Sequence, residues 1–74
     1  MQAYKSKSGK DSGVAAFKNG TDYIVVQFKS GQIYKYTYGS AGAEAIEKMK
    51  QLALDNKGLS SFISREDPRY ESKR

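Results

Sequence analysis

Two β-type runs facing each other across a glycine turn constrain this chain more than any other feature. Tyr23-Ile24-Val25-Val26-Gln27-Phe28 and Gln32-Ile33-Tyr34-Lys35-Tyr36-Thr37-Tyr38 flank Lys29-Ser30-Gly31. β-Branched and aromatic side chains fit a pleated, half-buried surface, and Ser-Gly supplies the left-handed position of a tight turn. The stretch predicts a β-hairpin that the rest of the chain must cover.

Its register decides what the tyrosines do, because a slip of one residue moves every side chain to the opposite face. In one register Lys29-Ser30 form a type I turn and Gly31 a bulge. Phe28 then faces Gln32, Val26 faces Tyr34 and Ile24 faces Tyr36. In the other, Ser30-Gly31 form a two-residue turn, Phe28 faces Ile33 and Val26 faces Lys35. The second buries Lys35 wherever Val26 is buried, and an unpaired buried charge is costly, so the first is preferred. It turns Tyr34 and Tyr36 toward the core and leaves Tyr23, Val25, Lys35 and Thr37 on the other face.

Upstream, Gly13-Val14-Ala15-Ala16-Phe17-Lys18 ends at Asn19-Gly20, a strong hairpin signal. A turn at Asn19-Gly20 pairs Lys18 with Thr21, Ala16 with Tyr23, Ala15 with Ile24 and Phe17 with Asp22. Ala15 and Phe17 then join the Ile24 face, and the second strand becomes central. Downstream, Ser40 is the expected N-cap of a helix. Ala45, Ile46, Met49, Leu52 and Ala53 recur at helical spacing and form its core-facing stripe. Gly42 weakens its first turn by up to ~1 kcal/mol, and Gly58 is the expected C′ residue. Leu59, Phe62 and Ile63 predict one or two further helical turns, ended by Asp67-Pro68. The expected fold is α+β: a three-stranded antiparallel β-meander followed by one amphipathic helix over 40–57, packed on one sheet face, and a short C-terminal helix. Residues 1–12 read as a flexible basic leader, 13–66 as a single domain and 67–74 as a basic tail anchored by Tyr70.

Composition excludes more than it identifies. With 74 residues there is one small core, and with no Cys and no His there is no disulfide, thiolate nucleophile, zinc site or His-assisted nucleophile. Catalysis and cofactors are not expected. No run approaches the roughly 20 apolar residues of a membrane span, and the N-terminal basic residues precede no apolar segment. The expectation is a cytoplasmic protein with no membrane partner.

The net charge of +5 favours an anionic partner. Residues 1–12 hold three basic residues against one acidic, as do residues 13–38, whereas residues 39–58 hold three against three. The positive charge therefore lies on the leader and sheet. The leader reads either as an arm that drapes over phosphates or as a solvated terminus.

Val26-Gln27-Phe28-Lys29-Ser30-Gly31, the Y-x-Y at Tyr34 and Tyr36, the helix, and then Gly58-Leu59 with Ile63 together resemble the KTSC domain. That short module is found alone in bacterial proteins and at the C-terminus of some lysyl-tRNA synthetases. Leu59 is aliphatic where the family tends to be aromatic. The resemblance covers roughly residues 12–70 and implies RNA binding as a candidate function.

Two binding functions compete. In the first, RNA or other single-stranded nucleic acid meets tyrosines interleaved with lysines, rings stacking bases while ammonium groups meet phosphates. The expected site residues are Lys35, Lys29, Lys18, Tyr23 and Tyr38, with the leader adding charge. In the second, Tyr23, Val25 and Ile33 leave an apolar patch for a protein partner or a homodimer, or an outer strand accepts an added strand.

Overall fold

Residues 2–4, 13–55 and 58–73 are described by the structure, a computed structural model. Three of its strands are the expected meander: β2 (Val14–Asn19), β3 (Tyr23–Phe28) and β4 (Ile33–Thr37). Two-residue strands flank them, β1 (Gln2–Ala3) beside β2 and β5 (Ser72–Lys73) beside β4, giving an antiparallel sheet in the order β1-β2-β3-β4-β5. The helices are α1 (Tyr38–Ala41), α2 (Ala43–Asp55) and α3 (Leu59–Glu66). The α+β class and antiparallel meander hold; the strand and helix counts are larger than expected.

The central hairpin adopts the bulged register. Ile24 pairs with Tyr36, Val26 with Tyr34 and Gln27 with Ile33. Gly31 has φ +97°, its N–H donates to the Phe28 carbonyl at 2.9 Å, and the Phe28 N–H donates to the Gln32 carbonyl at 2.8 Å. A left-handed position that only glycine occupies cheaply fixes the pairing downstream of it.

The first hairpin departs from expectation. Asn19 and Gly20 are not the turn residues: Asn19 pairs with Ile24, the Gly20 N–H donates to the Tyr23 carbonyl at 2.9 Å, and Thr21-Asp22 make the turn. Neither Asn19 nor Gly20 has a positive φ. The expected register set Asp22 opposite Phe17 on the core face, which would have buried a carboxylate. The observed one puts Val26 there and leaves Asp22 exposed. Ala16, Phe17 and Lys18 each thus meet a β3-side partner four positions further on than expected, an even step, so Phe17 keeps the Ile24 face. A bulge between Val14 and Ala16 then sends Val14, not Ala15, into the core opposite Phe28.

The core lies between one sheet face and the helices. Val14, Phe17, Ile24, Val26 and Tyr36 meet Ile46, Met49 and Ala53 of α2 and Leu59 and Phe62 of α3. Each large apolar side chain buried there stabilises by about 1.5–3 kcal/mol. Tyr4 completes the layer, edge-on to Phe17 at 6.3 Å, with its hydroxyl accepting from the Leu59 N–H at 3.2 Å. Residues 2–4 of the expected leader therefore belong to the sheet and core, while residues 5–12 lie outside the described residues.

The expected single helix over 40–57 is two. Thr37 caps α1: its Oγ1 accepts from the Ser40 N–H at 3.1 Å, and Ser40 Oγ accepts from the Thr37 N–H at 3.0 Å. This is a capping box in which Ser40 is the third helical residue and not the N-cap. Gly42, at φ +93°, breaks the run so that α2 starts in a new direction at Ala43. Gly58 precedes α3 at φ +80° and is its N-cap; Asn56 and Lys57, the expected end of the helix, lie outside the described residues. Asp67, left-handed at φ 46°, closes α3 by donating its N–H to the Ile63 carbonyl at 2.9 Å.

Candidate nucleic-acid interface

Among the described residues no helix covers the second face of the sheet, and pairing sets its contents. Lys18 lies opposite Val25, Val25 opposite Lys35, and Lys35 opposite Ser72, forming one row across four strands. Tyr23 and Thr37 form a row on one side of it, and Ala16, Gln27 and Ile33 a row on the other. Strand alternation makes this division obligatory once Ile24, Val26 and Tyr36 are buried.

Tyr23 is positioned by two contacts. Its ring lies across Gly20, where any Cβ would collide with ring carbons, and the Lys35 ammonium sits 5.0 Å from its centroid. Lys35 also reaches Glu71 at 3.5 Å, a pair exposed enough for solvent to screen. The Glu71 N–H donates to the Lys35 carbonyl at 2.6 Å, so the end of the chain is tied to β4 at this residue.

Of the five residues expected to bind nucleic acid, this face brings together Lys18, Tyr23 and Lys35. Lys29 is exposed in the turn and lines a cleft on the helix-covered side. Tyr38 opens α1 and donates its hydroxyl to Glu47 at 2.6 Å, so it belongs to the helices and not to the open face. Glu47 in turn meets Lys50 at 2.8 Å, and Lys50 Nζ donates to the carbonyls of Gly20 and Thr21 at 2.9 and 3.0 Å. The Glu47 bond raises the Tyr38 hydroxyl pKa and that of Lys50, while Lys50, then Tyr38, lower that of Glu47. This chain of contacts straps the first turn to α2. Thr37, an expected stacking neighbour of Tyr23, has its side chain engaged as the α1 cap.

The cleft, of about 460 Å³, opens between the tip of the central hairpin and the segment from Ile63 to Tyr70. Its walls include Phe28, Tyr34, Tyr36, Pro68 and Tyr70, and its polar lining includes Lys29, Gln32 and Asp67. Phe28 and Tyr70 stand at 84° and 87° to the Tyr34 ring, with centroids 5.2 and 4.8 Å from it. Tyr34 was expected in the core with Tyr36. Tyr36 is fully there, at 2% exposure; Tyr34 is half-buried, packed against the edge of the core and lining the cleft. Burial, then the charges of Tyr34, Asp67 and Tyr70, push the Tyr36 hydroxyl up to about 12.

Sequence reasoning missed this cleft. Phe28, Tyr34 and Tyr36 were visible as same-face aromatics, but Tyr70 reaches them only because Asp67-Pro68 turns the chain back along β4, where Ser40 Oγ donates to the Arg69 carbonyl at 2.9 Å. Among the described residues, no group of three or more Asp or Glu is placed to hold a metal, and no helix is long and apolar enough to cross a membrane.

Comparisons with family models, curated proteins and solved structures give no match to this chain.

Proposed function

We infer that this chain is a small, non-catalytic binding module for single-stranded nucleic acid, RNA foremost, with Lys18, Tyr23 and Lys35 as the centre of its surface. One observation carries the reading: on a face that no helix among the described residues covers, a tyrosine ring lies beside a row in which two lysines flank Val25. A base stacks on Tyr23 when Lys35 swings from the ring to a phosphate, exchanging a cation–π contact for a charge-assisted one. Glu71 competes for Lys35 and sets the cost of that swing. The KTSC resemblance points the same way.

A protein partner or homodimer on the same face has weaker support. Tyr23, Val25 and Ile33 are half-buried and do not form a bare apolar patch, and β1 and β5 offer only two paired residues each to an added strand.

Fluorescence anisotropy with short single-stranded RNAs tests the reading. Binding should weaken with salt. Lys18→Glu with Lys35→Glu should abolish measurable binding, while the milder Lys18→Gln with Lys35→Gln should flatten the salt dependence by about 1.4 in log–log slope, the value for two phosphate contacts. Binding that is unchanged in the folded double variants rejects the surface, and a complex whose stoichiometry follows self-association supports the dimer.

A further inference from the structure

The geometry points to the hairpin-tip cleft as a seat for a single nucleotide, its base among Phe28, Tyr34 and Tyr70 and its phosphate at Lys29. This extends the nucleic-acid reading to a second, separate subsite on the opposite side of the sheet.

Shape comes first. Phe28 and Tyr70 each meet the Tyr34 ring edge to face, and the cleft that these aromatic side chains line, about 460 Å³, lies within the roughly 300–1,000 Å³ of small-ligand sites. Flat heteroaromatic groups are the ligands that gain most from such walls.

Polarity comes second. Tyr36 is 2% exposed and lines the cleft, yet none of the described residues hydrogen-bonds its hydroxyl. A hydroxyl at the cleft wall that meets only solvent can exchange that solvent for the polar edge of a ligand. Asp67 and Gln32 line the same space; a carboxylate accepts from an exocyclic amino group, and an amide both donates and accepts. The Gln32 Oε1 already takes the Tyr34 hydroxyl at a long 3.3 Å, which leaves its NH₂ for the ligand.

Charge selects between flat ligands. Three rings and an aspartate would also suit a methylated ammonium group. Lys29 lines the cleft, however, and the Lys73 ammonium already stands 5.5 Å from the Tyr34 centroid, so a further cation would meet two positive charges. A base carrying a phosphate places its anion where those charges are.

The test is an amide chemical-shift titration of the full chain with AMP, GMP, CMP and UMP, and with tetramethylammonium as the cationic alternative. The expected result is saturable shifts at Gln32, Tyr34, Tyr36 and Asp67, with the amino-bearing bases binding more tightly than UMP. Tyr70→Ala, at a half-exposed position outside the core, should weaken binding about tenfold with an otherwise native spectrum. Lys29→Glu should weaken AMP binding and leave that of the uncharged nucleoside adenosine nearly unchanged. Lys18→Glu with Lys35→Glu should not alter the mononucleotide affinity, so failure of the open face and failure of the cleft are read separately. No shift at the cleft with any of the four nucleotides, or tighter binding of tetramethylammonium, overturns the assignment.

Discussion

Both hairpins of the meander place a glycine in or beside the turn, and they use it for opposite reasons. At the central hairpin Gly31 is needed for its backbone: φ is +97° and nothing stands within 4 Å of where a Cβ would be. At the first hairpin Gly20 has an ordinary φ and is needed for its absent side chain, because the Tyr23 ring occupies that space and Lys50 of α2 holds its carbonyl. A turn specified by its own dihedral angles is settled locally. One specified by what packs on it depends on the rest of the fold.

Substitutions at these positions separate the two cases. The largest effect should come from Gly20→Val: displacing the Tyr23 ring and crowding the turn should cost about 2–3 kcal/mol in urea unfolding. A loss below ~0.5 kcal/mol, the range of ordinary surface changes, would show that Tyr23 moves aside freely.

Next is alkaline stability, which reports the register of the central hairpin through Tyr36. Its folded-state pKa, near 12, lies above the ordinary value of 10.0. The folded state therefore holds the proton more tightly; stability is full below pH 10 and declines as pH rises through 12, by at most about 2.7 kcal/mol. Tyr36→Phe should remove that decline, and a wild-type phenol titrating near 10 would place the ring outside the core.

Gly31→Ala should cost about 1–2 kcal/mol through backbone strain alone, and Gly31→Asn less, since Asn tolerates the left-handed region. Equal costs for Ala and Asn would mean that crowding and not φ governs the position. The smallest effect is expected from Lys50→Met. It frees the Gly20 and Thr21 carbonyls to water and should cost up to about 1 kcal/mol, with exchange at the first turn accelerating more than at the Gly31 turn.

The open face was legible from residues alone once the Gly31 register was chosen. Lys18, Tyr23 and Lys35 fall together because strand periodicity leaves no alternative. The same reasoning misplaced Asn19-Gly20, where local turn preference lost to the burial of Phe17 opposite Val26. It also joined α1 to α2, since a glycine within a helical pattern reads as a weak point until the chain is seen to change direction there. Tyr4 reads as part of a leader, and Tyr70 as an anchor without a partner, because each is a lone aromatic in a polar stretch and the partners Phe17, Leu59 and Tyr34 are distant in sequence.

By itself the sequence determined the α+β class and favoured, over one competing register, the bulged hairpin and with it the facing of side chains along β3 and β4. These follow from periodicity and from one residue's dihedral requirement, both local properties. Only the tertiary structure decided the first hairpin's register, the capture of Tyr4 and Ser72–Lys73 by the sheet edges, and the cleft at the hairpin tip. Each of those depends on burial between segments far apart in the chain, a free energy that no local window contains.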